Sequence, residues 1–263
     1  MRWTEGDVLY EERDGVATVT LNRPQSLNAI RVGMYERIAE ALREAAWNRD
    51  VGVVVLTGAG EKAFCVGGDT GDKKSERGGR GITGVPLDQI HAAIREAPKP
   101  VIAKVRGYAI GGGNVIATLC DLTIAAESAQ FGQVGPRVGS VDPGWGTAYL
   151  ARVVGEKKAR EMWFLCRRYK AREALAMGLV NTVVADAELD AEVDRWCEEI
   201  LALGPTALAI AKATFNADSD GIKGIASTGS HAVALYFGSA EAAESAAAFR
   251  EKRKPAHRGR RAS

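Results

Sequence analysis

The chain is poor in the residues that most often act as nucleophiles or metal ligands. Its 263 residues include three histidines and four cysteines, and aromatic residues make up 6%. Cys65, Cys120, Cys166 and Cys197 are widely spaced with no C-x-x-C pair, so they read as reduced core residues. His91, His231 and His257 are scattered, give no zinc-ligand spacing and offer Cys65 no base, so no metal is expected. Excess charge of one sign is missing too, since 35 Lys and Arg face 33 Asp and Glu, a net +2. That balance does not supply the basic, aromatic face of a nucleic-acid binder. No apolar run approaches the ~20 residues a membrane span requires. The stretch MRWTEGDVLYEERDG is charged from its start and has no apolar secretory core, so the expected location is the cytoplasm.

The composition, 46% hydrophobic and 26% charged, is that of an ordinary globular protein, large enough for one domain or a core with a smaller appendage. Val8–Arg13 and Val16–Asn22 read as strands joined by a turn at Asp14-Gly15. A helical pattern runs from about Ala29 to Trp47, with Ile30, Met34, Ile38, Leu42 and Ala46 on one face. Strand 52–56, a loop through Gly68 and a polar, glycine-rich stretch 71–84 follow, the last a candidate mobile loop over a ligand. Helix 86–97 and strand 101–109 come next. Beyond residue 140 helices dominate, at 146–154, 156–165, 172–177, 189–203, 205–217 and 240–252. This order predicts an α/β core over residues 1–200 and a helical C-terminal region over 201–263 that ends in a basic tail. The alanine-rich segment after Ala240 has too little apolar surface to stand alone and is expected to pack on a neighbouring subunit.

The stretch from Val105 to Gly146 carries the chemistry. It reads as a strand, the glycines Gly111, Gly112 and Gly113, a short helix, a second strand and a glycine-rich loop. Glycines at a strand-to-helix junction let a ligand approach backbone N–H groups at the positive end of the helix. A turn that merely packs helix on strand fits the triplet equally well. The run VVVLT at Val53–Thr57, followed by Gly67-Gly68-Asp69, supplies a second glycine N–H from a separate loop. Two such donors are what a thioester-enolate oxyanion hole needs.

These segments resemble the crotonase (enoyl-CoA hydratase/isomerase) superfamily. The matching residues are LNRPQSLNAI at Leu21–Ile30, AFCVGGD at Ala63–Asp69, PKPVIAKVRGYAIGGG at Pro98–Gly113, CDLTIAA at Cys120–Ala126 and FGQVGP at Phe131–Pro136. They fall in the family's order along nearly the whole chain. The resemblance implies a spiral of ββα turns with a C-terminal helical trimerisation region, assembled as trimers or dimers of trimers. It implies an acyl-CoA thioester as substrate and no other cofactor, coenzyme A being part of the substrate. Gly68 and Gly112 would supply the oxyanion-hole N–H groups, and Ala63, Val66, Gly67, Asp69 and Gly135 would line the site. Arg31, and Lys252 from an adjacent subunit, would meet the CoA phosphates.

The hydratases of that family hold water with two glutamates, and here those positions are Val115 and Gly135. Neither can move a proton, so hydration loses its acid and its base. The carboxylate that remains is Asp142, within GSVDPGWG at Gly139–Gly146. It can be read as the cap of the helix that follows, a role Ser140 could also fill, or as the proton-transfer group. GQVGPRVGSVDPGWG and RVVGEKKAREMWFLCRRY at Arg152–Tyr169 are similar to a narrower subgroup, the 2-ketocyclohexanecarboxyl-CoA hydrolases and the dihydroxynaphthoyl-CoA synthases. Pro143, VPLDQIHAAIREAPKP at Val85–Pro100 and PTALAIAKATFN at Pro205–Asn216 are closer to the hydrolases, and the synthases' loop tyrosine is absent. The resemblance therefore implies ring opening of a cyclic β-ketoacyl-CoA, with Asp142 as acid/base and Ser140 orienting it or the ketone. Two alternatives stand beside it. One is the naphthoyl-CoA synthase, with a bicarbonate held at Gly135 as base, and the other a non-catalytic acyl-CoA-binding or RNA-associated scaffold. The subgroup's late tyrosine, which reaches a neighbour's site, falls at Phe237, and Tyr236 is the adjacent candidate for its role.

Overall fold

A computed structural model describes residues 2–71 and 81–257. The hairpin forms as expected. Strands β1 (Arg2–Trp3), β2 (Val8–Arg13) and β3 (Val16–Leu21) pair antiparallel, turning at Asp14 and Gly15, both with positive φ. Strands β4 (Val53–Gly58), β6 (Val101–Val105), β8 (Leu122–Ala126) and β11 (Thr182–Val184) then add in parallel, completing a seven-stranded sheet. Short strands β5 (Ala63–Cys65), β7 (Tyr108–Ile110), β9 (Gln130–Gly132) and β10 (Arg168–Lys170) build a second sheet in the order β10-β9-β7-β5. Each of β4, β6 and β8 is thus followed by a short strand in the other sheet and then by a helix. Those helices are α2 (Leu87–Glu96), α3 (Gly112–Leu119) and α4 (Gly135–Val138). Three ββα turns result.

Alternation along the strands sets the layers. Val54 and Leu56 face the main core with α1 (Met34–Trp47), α2 and α3, while Val53 and Val55 face a smaller cluster under α8 (Leu189–Leu201). Four short helical segments connect these layers. A π-type turn at Trp145–Tyr149 leads into α5 (Leu150–Val154), α6 (Glu156–Leu165) and α7 (Ala171–Ala176). The chain ends in α9 (Pro205–Asp218), α10 (Gly221–Tyr236) and α11 (Ala240–Arg250). Lys212 on α9 is buried and donates to Ile94 O at 2.8 Å, Lys99 O at 2.9 Å and Asp121 Oδ2 at 2.7 Å. Burying an ammonium is tolerable only with partners of this kind, so α9 is locked onto the core of its own chain. Among the described residues no single helix is long and apolar enough to cross a membrane.

Four expectations need correction. The first helix starts at Met34, because Asn28 and Gly33 have positive φ and Ile30 is bridged to Gly68 instead. The strand expected over 101–109 is two strands in two sheets, divided at Gly107, whose φ is 64°. Helix α10, sixteen residues long, was not expected at all. Finally, α11 packs on α4 of its own chain, with Ala242, Ser245 and Ala248 buried there. Most of the expected 71–84 loop lies outside the described residues.

Candidate active site

The two glycine loops meet. Residues Gly67 and Asp69 bond to Ile30, through Ile30 N to Gly67 O at 2.8 Å and Asp69 N to Ile30 O at 2.9 Å. A parallel bridge uses the neighbours of the central residue, so Gly68's own N–H faces the other way. Gly112 is the first residue of α3, where the N–H has no partner within the helix. A Cβ on Gly112 would lie 3.2 Å from Gly67 Cα and 4.0 Å from Gly68 N, which brings the two loops into van der Waals contact. Neither N–H donates to another described residue.

Gly111 and Gly113 explain the rest of the triplet. Gly111 has φ 59° and ψ −124°, a conformation that residues with a Cβ avoid. A Cβ on Gly113 would clash with Cys65 O, so only glycine lets α3 sit against β5. Packing thus accounts for Gly111 and Gly113, while Gly112 keeps an N–H with no partner within the helix. Cys65 itself is inert, because burial pushes its thiol up to about 12 although it accepts from Gly67 N–H at 3.3 Å.

Behind this pair stands a polar brace that sequence reasoning missed. Asn28 is fully buried, accepts from Arg23 N at 2.9 Å and donates to Ala59 O at 3.0 Å and Ala63 O at 2.7 Å. Arg23 donates to Ala29 O at 2.7 Å and to Asp69 Oδ2 at 2.8 Å. Partial burial raises the Asp69 carboxyl, but Arg23 and Gly71 N–H outweigh it and hold it below the usual range. Asp69 therefore braces the donor loop. Asparagine's tolerance of positive φ is the signal at position 28 that could have revealed it.

Asp142 reaches the site from the other side. Its Oδ1 accepts from Gly146 N at 2.8 Å, so the capping role holds. A Cβ on Gly146 would lie 2.8 Å from Asp142 Cβ and 3.0 Å from Val115 Cγ2. Val115 is about one helical turn beyond Gly112 on α3, so Asp142 stands next to the donor pair's own helix. Burial pushes the Asp142 carboxyl up to about 6 against the pull of the Gly146 bond. A carboxyl with that pKa is ionised at neutral pH and readily reprotonated.

The loop of Asp142 is clamped by α10. A Cβ on Gly144 would lie 2.6 Å from Ala226 Cβ, and one on Gly229 would clash with Pro143. Between this loop, α2 and α10 lies a cavity of about 400 Å³ lined by Asp142, His91, Arg95, Trp145, Ser227 and Ser230 among others. Arg95 is buried, donates to Asn216 O at 3.1 Å and Ser219 Oγ at 2.8 Å, and stacks 4.7 Å above the Trp145 ring.

The other expected site residues are distributed as follows. Ala63 and Val66 lie in the β5–Gly67 segment, beside the donors. Arg31 follows Ile30 on the rim, pairs with Asp7 and helps to lower Asp69. A Cβ on Gly135 would lie 2.5 Å from Ser140 O and 2.7 Å from the Trp163 ring, so the close packing here requires glycine. Ser140 contributes its N–H to Gly135 O at 2.9 Å. Lys252 is exposed after α11, and Tyr236 is not among the residues lining the Asp142 cavity of its own chain.

Known proteins share this fold. A model of the enoyl-CoA hydratase/isomerase family matches residues 11–260. The chain belongs to that family. Its fold is accordingly the crotonase fold, and it is an acyl-CoA-processing enzyme of that superfamily. Among solved structures, an enoyl-CoA hydratase from Mycobacterium avium subsp. paratuberculosis K-10 is 34% identical, covering 95% of this chain and 98% of that one, with a TM-score of 0.83. An enoyl-CoA hydratase/isomerase from Pseudoalteromonas atlantica T6c is 29% identical over 95% and 99%, with a TM-score of 0.85. OdaA from Pseudomonas aeruginosa is 29% identical over 97% and 100%, with a TM-score of 0.86.

Proposed function

We propose that this crotonase-family enzyme is a hydrolase that opens the ring of a cyclic β-ketoacyl-CoA, with 2-ketocyclohexanecarboxyl-CoA giving pimeloyl-CoA as the reaction to test first. One observation carries this reading. The carboxyl that shares the cavity next to the donor helix belongs to Asp142 and is pushed up to about 6, while positions 115 and 135 hold no acid.

Asp142 takes a proton from water as the oxygen adds to the ring ketone carbon, which becomes a tetrahedral alkoxide. The bond from that carbon to the α-carbon then breaks. Its electron pair moves into the thioester, and the enolate oxygen accepts hydrogen bonds from Gly68 and Gly112 N–H. Protonation of the α-carbon by Asp142 completes the step, and the former ketone carbon leaves as a carboxylic acid. Each oxyanion donor of this kind is worth ~3 kcal/mol of barrier, and a placed acid/base ~10²–10⁴-fold in rate. Ser140 would orient Asp142 or the ketone, while Ala63, Val66 and Gly67 would hold the thioester end. Arg31 and Lys252 would meet the CoA phosphates. An oligomer, trimer or dimer of trimers, belongs to the same reading, supported by exposed Ile210, Phe215 and Leu235 on α9 and α10.

Incubation of the purified protein with 2-ketocyclohexanecarboxyl-CoA, and separately with succinylbenzoyl-CoA, tests this by mass spectrometry. A product heavier by one water from the first supports ring opening. Loss of water from the second would favour the synthase. Turnover of neither would overturn both readings and leave a different acyl-CoA reaction of this family to be sought.

A further inference from the structure

We propose that Arg95 binds the carboxylate that ring opening creates at the far end of the acyl chain, holding it within the Asp142 cavity. This rests on the ring-opening reading, which defines its ligand.

Arg95 lies near the end of α2, is 8% exposed and lines the cavity together with Trp145, whose ring is 4.7 Å from its Cζ. Its hydrogen bonds to described residues all run from Nη2, to the neutral acceptors Asn216 O and Ser219 Oγ. Nε and Nη1 have no partner there, yet neither is sealed from solvent. The adjacent Glu96 pairs with Lys223 at 3.1 Å, and Asp121 pairs with Lys212 at 2.7 Å. Arg95 itself forms no ion pair among the described residues. A buried cation without a counter-charge is costly, and a bound anion is one way to supply it.

Ring opening makes such an anion. The bond from the hydrated ketone carbon to the α-carbon breaks, and the former ketone carbon becomes a carboxylic acid at the end of a five-methylene chain. Asp142 returns to its carboxylate form when it protonates the α-carbon. Once the new acid loses its own proton, the cavity holds two carboxylates, which repel each other. Two cations line the cavity, and Lys223 is exposed and already paired, which leaves Arg95 for the interior. The exposed acids Asp88, Glu96 and Asp220 make the outer lining unfavourable for the new charge. Arg95 is not spent on Asp142, whose carboxyl is raised by burial and lowered only by the Gly146 bond. The cavity of about 400 Å³ exceeds the ~150 Å³ that admits a benzene ring, so the opened chain has room to swing. Guanidinium N–H groups bind carboxylates by charge-assisted hydrogen bonds, and Nε and Nη1 supply the donors.

Calorimetric titration of the unmodified enzyme with heptanoyl-CoA, pimeloyl-CoA and the methyl ester of pimeloyl-CoA tests this, because the three share a chain and differ at its end. Pimeloyl-CoA is expected to bind about tenfold tighter than either neutral thioester, with the preference lost in Arg95→Met and kept in Lys223→Ala. Should the methionine variant not fold, Arg95→Gln, which can still donate to Asn216 O, poses the same question. Equal binding of acid and ester by the unmodified enzyme overturns the proposal, as does a preference that disappears with Lys223. An arginine that only ties α2 to α9 would, when replaced, weaken all three thioesters alike and leave the preference, which also overturns it. Ring opening of 2-ketocyclohexanecarboxyl-CoA by the unmodified enzyme is scored separately. Its absence alongside an Arg95-dependent preference overturns the ring-opening reading and supports the carboxylate site. Its presence without any preference overturns the role of Arg95 alone.

Discussion

Gly68 and Gly112 present backbone N–H groups, whereas Asp142 presents a side chain on a loop held from outside by α10. The Gly112 loop is fixed by close contacts, since a Cβ on Gly113 would clash with Cys65 O and one on Gly112 would lie 3.2 Å from Gly67 Cα. The glycine pair sits where two parallel strands hand over to loop and helix, and the Asn28 and Arg23 brace ties it to the large sheet. The carboxylate half is tuned by its surroundings. Asp142 has one backbone partner, a carboxyl shifted by burial, and a cavity whose far wall comes from a helix some eighty residues later in the chain. In the proposed reaction the first half stabilises the charge of the thioester enolate, and the second decides where the proton goes.

The largest effect should come from the glycine half. Gly113→Ala forces a Cβ into Cys65 O, so α3 must move and both donors lose their register. We expect activity below detection and a loss of ~2–4 kcal/mol in stability, read from thermal melting and turnover. A folded and active Gly113→Ala enzyme would break the comparison at its stronger side.

Asp142→Asn should separate chemistry from folding. Turnover falls by at least ~10²-fold, while thioester binding persists. The stability effect has a defined sign. Folding raises this carboxyl from 3.8 to about 6, so the folded state prefers the protonated form. The cost of ionising it is absent below about pH 4, grows as pH rises through about 6, and is fully present above. The asparagine variant should therefore match the parent near pH 4 and exceed it by up to ~3 kcal/mol near pH 8. Melting curves that differ equally at both pH values would show that Asp142 is not desolvated.

Asn28→Ala removes three hydrogen bonds from a fully buried side chain at positive φ. A destabilisation of ~2–4 kcal/mol is expected in denaturant titration, with kcat falling more than KM rises because the donors lose their brace. Normal stability in this variant would remove the brace from the account. The smallest effect belongs to Tyr236→Phe. Its side chain does not line the Asp142 cavity of its own chain, so kcat should change by less than ~3-fold. A loss comparable to that of Asp142→Asn would place Tyr236 in a neighbouring subunit's site.

Local signals made much of this protein legible. Asp14-Gly15 between alternating strands specified the hairpin, because that turn type needs positive φ at both residues. The helix from Glu156 to Leu165 has the limits its pattern suggested, since Gly155 opens it and Cys166, in the left-handed region, closes it. The two glycine loops were also visible, because an unpartnered backbone N–H needs only glycine in the right local setting.

Contacts distant in sequence decided the rest. Helix α10 carries Gly221, Gly224 and Gly229, poor helix formers, and its packing places Gly229 and Ala226 against Pro143 and Gly144. Ile30 matches a helical pattern yet joins Gly68, because the donor loop offers a better partner than another turn of α1. His91 reads as one polar residue on an apolar helix face, and nothing near it in sequence indicates a cavity. Composition, turns and glycine donors were thus determined by the sequence alone. Which side chains share the cavity with Asp142 was decided only when α2, α3 and α10 closed around it, because burial and close approach are properties of the packed chain.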